Sequence, residues 1–589
     1  MVLVGLRALL VGLSFLGYFL FLEKKKVDIG LAPVVTFSTI GVVMFFAGLL
    51  NAMAAATYGI VICGLALLIA AKPWTLRRDG RTGRIAAVLG VFLLMCVPVM
   101  IRLYREIPTH YDGFSHWLTV VREMLRTDSM PNFRSVMIMF QGYPTGSAGF
   151  IYFVCKAVGA SRDDLVVFAQ AVLILSALLS LTAFIQKEKV VSGIVFVLFC
   201  LYGLTANIQI TELLVDTLVS LLSVAAIAIA VRYRDEPKKA FFLTLPIQVY
   251  LIAVKNSGIL MVGIDCMLIL IVLLYAAKTD GRLTARRGWT SFGYVFLDGA
   301  IPMSVYYLWL QHVKYVFDKG TTSKHTASAE YYESVLKERT PEDMREILTT
   351  FGRRFFSWNG TWLFLIAAAV VLAIGMICRR KAEPKRERMK EPLILAAMLV
   401  SYGLFMAVLA AMYLVSMPYA EAVNLSSYQR YENTIVMLLS GILAMYLLCL
   451  LQKPCDGAVR RAAIRGVSIA AAVGLLCPLL PQVEELMVKP NAYTKTKRYQ
   501  LEQIRDAYGL PEGASYLIVD AEAANDAGYT YFLGRYVFWS PRVGSCTPEE
   551  LPDATKNRQY LIVLTEDEQV DRYLREHGHT PGERAYTIG

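Results

Sequence analysis

The sequence has 589 residues, of which 56% are hydrophobic and only 18% are charged. So little charge cannot cover the surface of a soluble protein of this length, which excludes a soluble globular enzyme. The net charge of +12 is concentrated in short connections between apolar segments, so it does not indicate a nucleic-acid partner.

Apolar segments of about twenty residues recur along the chain, and each is long enough to cross a bilayer as a helix. The first one lacks a small-residue cleavage site, so we expect a retained span rather than a signal peptide. A further helix over 147–159 is predicted to be interfacial or re-entrant. The predicted spans, about fourteen, are 3–22, 31–50, 52–71, 85–104, 164–185, 190–206, 213–231, 240–254, 258–277, 291–310, 361–378, 393–415, 434–452 and 466–480.

Six connections between these spans are basic, and all six fall on one side of the membrane in this span order. The positive-inside rule makes that side cytoplasmic. The opposite side then carries both termini and two long loops, 105–163 and 312–358, which are too long to be simple turns. The basic connections are 23–26, 72–84, 232–239, 278–288, 379–392 and 452–465.

The residues after 480 have a different pattern, with short apolar runs separated by polar turns. "ASYLIVDAE" (514–522) and the start of "RQYLIVLTEDEQVDRYLREHG" (558–578) predict strands, the second followed by a helix, and "YTYFLGRYVFW" (529–539) predicts a strand between them. The sequence therefore predicts an all-α polytopic membrane protein with N-terminal helices (1–84), a transmembrane core (85–480) and a small extracytoplasmic α/β domain (481–589). No catalytic pattern occurs in that domain, so its expected role is packing or acceptor binding.

The stretch "HYDGFSHWLTVVREMLRTD" (110–128) is unusually polar for its surroundings. As a helix it would place Asp112 and His116 on one face, four residues apart, with Asp112 as an N-cap. Its apolar residues recur at helical spacing and would rest on the bilayer boundary: Phe114, Trp117, Leu118, Val121, Met124 and Leu125. An amphipathic interfacial helix without any chemistry explains the pattern equally well.

Three further polar elements are expected on the same external side. "MFQGYPTGSAGFIYF" (139–153) contains the chain break Tyr143–Pro144, which also suits a plain turn before a helix. Lys255 in "VKNSG" must snorkel, find an anion or line a wet cavity. Arg430 in "SSYQRYENT", between two tyrosines, could clamp a phosphate or belong to an interfacial aromatic belt.

Taken together, "YDGFSHW", "FQGYPTGSAGFIYF", "IAVKNSG" and "SYQRYE" resemble elements of multi-span GT-C glycosyltransferases, particularly those of Gram-positive bacteria. The resemblance covers residues from about 85 to 435. It implies a bacterial plasma-membrane enzyme with an extracytoplasmic active site. Such an enzyme transfers a sugar, with inversion, from a polyprenyl-phosphate carrier to a glycan or cell-wall acceptor.

The resemblance also implies roles for individual residues. Asp112 would be the general base, and His116 would orient that carboxylate or contact the donor. Lys255 and Arg430 would hold the leaving phosphate, and Tyr143 and Pro144 would shape the loop over the donor. The remaining substrate-binding candidates are His110, Tyr111, Trp117 and Tyr428.

One departure concerns the acids of the first external loop. Many members of the family carry paired acids there, whereas Gly113 follows Asp112 in this chain. This weakens the case for a divalent metal, because hard cations need several oxygen ligands. The sequence identifies no metal ligands and does not indicate a divalent metal, although it leaves one open, and no cofactor is certain besides the polyprenyl-phosphate sugar that serves as donor substrate. A transporter or flippase for polyprenyl-linked glycans, or a ligase, remains the alternative function.

Overall fold

Helices form at all fourteen predicted spans, since only a helix satisfies its own backbone hydrogen bonds in apolar surroundings. The structure, a computed structural model, describes residues 2–72, 81–186, 188–207, 210–281, 283–317, 329–379, 389–453, 457–487 and 493–588. Parts of three predicted basic connections (73–80, 380–388 and 454–456) and of the second external loop (318–328) lie outside these residues.

The helices divide into a long N-terminal series and a shorter C-terminal series. The first twelve are α1 (Val2–Lys24), α2 (Ala32–Leu49), α3 (Met53–Ala71), α4 (Arg81–Leu103), α5 (Leu118–Thr127), α6 (Gly146–Val158), α7 (Asp163–Leu179), α8 (Lys189–Thr205), α9 (Asp216–Arg232), α10 (Pro237–Val254), α11 (Gly258–Thr279) and α12 (Ala285–Val316). A π-helical turn (Gly113–Trp117) precedes α5, and a 3₁₀ segment (Ser180–Phe184) extends α7.

The remaining helices are α13 (Ala329–Lys337), α14 (Pro341–Phe356), α15 (Gly360–Arg379), α16 (Lys390–Val415), α17 (Tyr419–Val423), α18 (Tyr428–Gln452), α19 (Ala458–Leu476), α20 (Leu480–Met487), α21 (Lys497–Tyr508), α22 (Tyr529–Phe538), α23 (Leu551–Ala554) and α24 (Glu568–Glu576). A short 3₁₀ turn, Cys477–Leu479, joins α19 to α20. A second 3₁₀ turn, Tyr493–Lys495, precedes α21.

Ten helical segments within the described residues are long and apolar enough to cross a membrane. They are α1, α2, α3, α4, α7 with its 3₁₀ extension, α11, α15, α16, α18, and α19 with α20. The other four predicted spans form α8, α9, α10 and α12, which fall short of that length or apolarity. The chain is thus a multi-pass, mainly helical membrane protein, as predicted.

Helix α9 lies at the centre of the bundle, where it packs against α7, α10, α11 and α18. Nearly all its side chains are buried, which suits its composition of Leu, Val, Ala and Ile. The predicted short helix at 147–159 is α6, which has only 13 residues and is buried against α2, α5 and α7.

Contacts between several of the connections group them at two ends of the bundle. At one end, Asp28 forms ion pairs with Arg84 (2.9 Å) and Arg232 (3.5 Å). At the other end, residues of the first external loop contact the turns before α9 and α18 and the C-terminal unit. The side of the membrane that each end faces stays a prediction.

The C-terminal unit contains a four-stranded sheet with the order β2-β1-β3-β4. The strands are β1 (Tyr516–Val519), β2 (Val543–Cys546), β3 (Tyr560–Val563) and β4 (Ala585–Thr587). β1 pairs in parallel with β2 and β3, whereas β4 is antiparallel to β3. The predicted strands at 514–522 and 558–578, and the helix after the second, are confirmed.

The predicted strand at 529–539 is wrong, because these residues form helix α22. Leu533, Val537 and Phe538 are buried in the hydrophobic core that α22 shares with the sheet and the membrane region. Burial on one side of a helix here outweighs the strand preference of the aromatic side chains.

Candidate functional site

Four charged side chains, distant in sequence, meet at the end of the bundle that is predicted to be external. Arg430 at the start of α18 donates from Nη1 to Asp112 Oδ2 at 2.7 Å. Its Nε lies 3.8 Å from Asp216 Oδ2, and Lys255 Nζ lies 2.6 Å from Asp216 Oδ1. Asp112, Arg430, Asp216 and Lys255, here called the charged cluster, thus alternate in sign.

Asp112 and Arg430 are more exposed than the other two members of this cluster. The side chains of Asp112 and Arg430 are 28% and 22% exposed, whereas those of Lys255 and Asp216 are 12% and 5% exposed. Asp112 is therefore the member of the cluster that is most accessible to a molecule in solution. The convergence of Asp112, Lys255 and Arg430 agrees with the sequence prediction.

Asp216 was not among the predicted site residues, although it joins both cations. It is the first residue of α9, where the helix N-terminus also favours a negative charge. Ser220 fixes its place, since its hydroxyl contacts the carbonyls of Asp216 (2.9 Å) and of Thr434 in α18 (2.8 Å). A lone acid at the start of an apolar segment was the available sequence signal.

Tyr431 is the second residue that sequence reasoning left out of the site. Lys255 Nζ and the Arg430 guanidinium lie 5.4 and 5.3 Å from the centroid of its ring. These are cation–π distances, so both cations interact with the same aromatic ring. The predicted residue Tyr428 instead contacts Phe351 and Arg354 of α14, away from Lys255.

The Tyr143–Pro144 turn is held against the end of α10. The carbonyl of Gly142 accepts hydrogen bonds from Asn256 Nδ2 (3.3 Å) and Trp309 Nε1 (3.2 Å). Gly146 permits this approach, because a Cβ there would lie 2.6 Å from the backbone oxygen of Ala253. The turn is thereby fixed next to Asn256, the neighbour of Lys255 in the chain.

Residues 110–117 differ from the predicted surface helix in two ways. Phe114, Trp117 and Leu118 do not rest on the bilayer boundary; they are buried, with Phe114 against Tyr529 of the C-terminal unit. Asp112 makes no N-capping hydrogen bond, because its carboxylate is bound to Arg430. The predicted interfacial position and cap are therefore wrong, since the C-terminal unit covers this stretch.

The two histidines of this stretch are both neutral at physiological pH. Burial lowers the pKa of His116 to about 3, and its ring packs against Trp117 (4.7 Å) and Tyr143 (5.0 Å). Burial also lowers the pKa of His110, whose Nδ1 accepts the backbone N–H of Asp112 at 3.1 Å. Tyr111 packs against Phe532 of α22.

Glu212 is a buried acid that sequence reasoning missed. Its Oε1 accepts the backbone N–H of Thr109 at 3.1 Å, while Oε2 is buried without a hydrogen-bond partner. Burial raises the pKa of this carboxyl to about 7. It lies under the loop that leads to Asp112, where its charge bears on the position of that loop.

Among the described residues, no group of three or more His, Cys, Asp or Glu side chains is placed to hold a metal ion. The groups suited to an anionic ligand are the ammonium of Lys255 and the guanidinium of Arg430, both of which already face a carboxylate. The arrangement can exchange a carboxylate for a phosphate at these cations and so change the environment of Asp112.

No protein-family model matches the chain, and no curated protein sequence matches it. The structure of ArnT from Cupriavidus metallidurans bound to undecaprenyl phosphate is similar, with a TM-score of 0.42 and 11% identity, over 86% of this chain and 97% of that chain. The apo state of ArnT from the same organism gives a TM-score of 0.33 and 11% identity, over 85% of this chain and 95% of that chain.

Proposed function

We propose that the protein is an inverting GT-C-type glycosyltransferase, which moves a sugar from a polyprenyl-phosphate carrier to an acceptor hydroxyl on the extracytoplasmic side. The observation that carries the proposal is the charged cluster. It places a partly exposed carboxylate, Asp112, directly beside the two cations Arg430 and Lys255 at the rim of a membrane bundle. A donor with its lipid in the bilayer and its phosphate at the surface fits this position.

The charge balance of the cluster suits such a donor. The four side chains sum to zero while Asp112 remains paired with Arg430. A sugar-phosphate-polyprenol carries one negative charge, which can replace Asp112 at Arg430. Lys255, Arg430 and Asp216 together then offer one positive charge to the bound phosphate.

Release from Arg430 gives Asp112 its proposed role. A carboxylate bound to a guanidinium is a weak base, whereas the freed carboxylate can accept the proton of the acceptor hydroxyl. The acceptor oxygen forms a bond to the anomeric carbon, and the bond from that carbon to the phosphate oxygen breaks. The electron pair leaves with the phosphate, whose second negative charge is stabilised by the fixed cations.

The direct test compares purified Asp112→Asn with the wild type in transfer of labelled sugar from polyprenyl-phosphate sugars. We expect transfer to fall by about a hundredfold or more, because the general base is lost. Asp128→Asn is the matched control, since Asp128 is paired with Lys156 (2.7 Å) outside the charged cluster. Full activity of Asp112→Asn would reject Asp112 as the base.

A transporter of lipid-linked glycans is the second candidate, and one observation favours it. Asp265 and Asp298 are fully buried within α11 and α12, and transporters often place acids inside the membrane. Movement of the labelled carrier across proteoliposomes, with no sugar transferred to any acceptor, would favour this candidate over the enzyme.

A further inference from the structure

A second polar cluster lies inside the membrane region, separate from the charged cluster. It consists of Ser223 in α9, Gln248 in α10 and Asp265 in α11, each 0% exposed. Gln248 Nε2 donates to Asp265 Oδ2 at 3.3 Å, and the Ser223 hydroxyl faces the same carboxyl. We call these three side chains the intramembrane oxygen cluster.

The cluster lies well below the external end of the bundle. Ser223 and Asp265 are each seven positions past the first residue of their helices, Asp216 and Gly258, which is about 10 Å at 1.5 Å per residue. Asp298 of α12 lies near this cluster. The hydroxyl of Thr244 donates to Asp298 Oδ2 at 2.7 Å, and Thr244 is one helical turn from Gln248 in α10.

Oxygen atoms of this cluster are left without partners. Asp265 Oδ1, Gln248 Oε1 and Ser223 Oγ are all buried and have no hydrogen-bond partner in the structure. Among the described residues, the side chains that act on Asp265 are Ser223, Gln248 and Asp298, and none of them is a cation. A bare carboxylate in apolar surroundings is very costly, so a positive charge has to accompany it.

We propose that the intramembrane oxygen cluster binds a monovalent metal cation of the sodium class. A protonated Asp265 is the competing state, in which the carboxyl donates to Gln248 Oε1 and the Ser223 hydroxyl donates to the carboxyl. A cation can contact the carboxylate, the carboxamide oxygen and the hydroxyl at once, and these are the hard oxygen ligands that such ions take. The three ligands come from three helices, so the bound ion would tie α9, α10 and α11 together.

Binding of sodium to the purified full-length protein tests this site directly. We expect saturable binding of radioactive sodium that unlabelled NaCl displaces and choline chloride does not. We also expect a higher thermal unfolding midpoint in NaCl than in choline chloride at equal ionic strength, since a ligand of the folded state stabilises it. The absence of saturable binding, with equal midpoints in both salts, would mean that Asp265 carries a proton, and it would overturn the proposal.

Variants locate the ion. Asp265→Asn should lose sodium binding yet fold without sodium, because no buried charge remains. Ser223→Ala is the second variant, for use if Asp265→Asn does not fold, and it should weaken sodium binding at least several-fold. Glu432→Gln is the matched control, a buried acid of α18 that is bonded to the Tyr402 hydroxyl (2.8 Å) and lies outside this cluster. If Asp265→Asn binds sodium as the wild type does, the ion lies elsewhere and the assignment is wrong. The same conclusion follows from unchanged binding in Ser223→Ala if only that variant folds.

Discussion

Asp216 is the side chain on which the charge balance of the candidate site depends, because it contacts both Lys255 and Arg430. We expect Asp216→Asn to lower the free energy of unfolding by about 3 kcal/mol, since removal of one partner from a buried ion pair leaves a charge uncompensated. The shift in unfolding midpoint of the purified protein measures this loss.

The control for this change is Asp128→Asn, which removes a more exposed ion pair with Lys156. Such pairs contribute about 1 kcal/mol or less, so this variant should unfold close to the wild type. Equal stability of the two variants would show that Asp216 does not hold the two cations in place.

Glu212 makes stability depend on pH in a defined direction. Burial raises the pKa of its carboxyl from 4.5 to about 7, so the folded state holds a proton that the unfolded state releases above pH 4.5. The effect of Glu212 on the free energy of unfolding is therefore absent below about pH 4.5. It becomes increasingly destabilising as the pH rises to about 7, and it stays constant above that.

Glu212→Gln removes this dependence while it keeps an acceptor for the N–H of Thr109. At pH 8 we expect the variant to unfold at a higher temperature than the wild type. Its free energy of unfolding should be higher by at most about 3.5 kcal/mol, at roughly 1.4 kcal/mol per pKa unit. At pH 4.5 the two proteins should unfold alike. Parallel curves of unfolding midpoint against pH would contradict the raised pKa.

Sequence patterns could identify the outer cations and Asp112, because isolated charges and histidines stand out between apolar spans. They could not identify Asp216 as the partner of Lys255, since that contact joins the start of α9 to the end of α10. Nor could they show that Tyr431 rather than Tyr428 faces the cations, because this depends on the rotation of α18 about its axis.

At the start of α6, backbone crowding decides where the Tyr143–Pro144 turn lies. Gly146→Ala would place a Cβ 2.6 Å from the carbonyl oxygen of Ala253, so the turn has to move away from α10. We expect a loss of about 1–3 kcal/mol in stability from this overpacking, and lower sugar transfer because the turn leaves Lys255.

Gly149→Ala is the matched control in the same helix. The added Cβ would lie 3.7 Å from the Cβ of Met44, which is an ordinary van der Waals contact. Alanine also favours a helix over glycine by up to about 1 kcal/mol, so this variant should be as stable as the wild type or more so. If the two variants have the same unfolding midpoint, backbone crowding at Gly146 does not determine where the turn lies.

The helices of the membrane region could be predicted because long apolar runs leave the backbone no other regular structure. The C-terminal unit was harder, since its elements are short and their type depends on what covers them. Residues 529–539 contain many aromatic residues and suggested a strand, yet as α22 they bury one face against the sheet and the π-helical turn. Strand β2, Val543–Cys546, has too few apolar residues to be noticed.

The chain as a whole is organised by the way its C-terminal unit covers the first external loop. Tyr529 donates its hydroxyl to the carbonyl of Thr109 (3.0 Å), and Arg535 donates to the carbonyls of Val136 (3.2 Å) and Met137 (3.3 Å). Most of these contacts are to backbone carbonyls, which no side-chain pattern reveals. This is why the sequence predicted the unit but not its position, and why 110–128 was wrongly placed on the bilayer.

Arg498 of α21 is the side chain that most directly ties this unit to the membrane region. It is only 4% exposed, it donates to the carbonyl of Pro108 (2.8 Å), and it forms an ion pair with Asp163 at the start of α7. Arg498→Met keeps much of the side-chain volume but leaves Asp163 and this carbonyl without their partner. We expect the unit to separate from the loop, with faster proteolytic cleavage between α20 and β1.

Arg505→Met is the control, because the contacts of Arg505 are with Asp506 and the carbonyl of Val537 and stay inside the C-terminal unit. It should leave cleavage at the wild-type rate. Since Asp112 lies four residues after Pro108 in the same loop, Arg498→Met should also lower sugar transfer. If Arg498→Met is cleaved at the wild-type rate and transfers sugar at the wild-type rate, the unit keeps its position without this arginine. The other contacts between α22 and the loop would then be sufficient to hold Asp112.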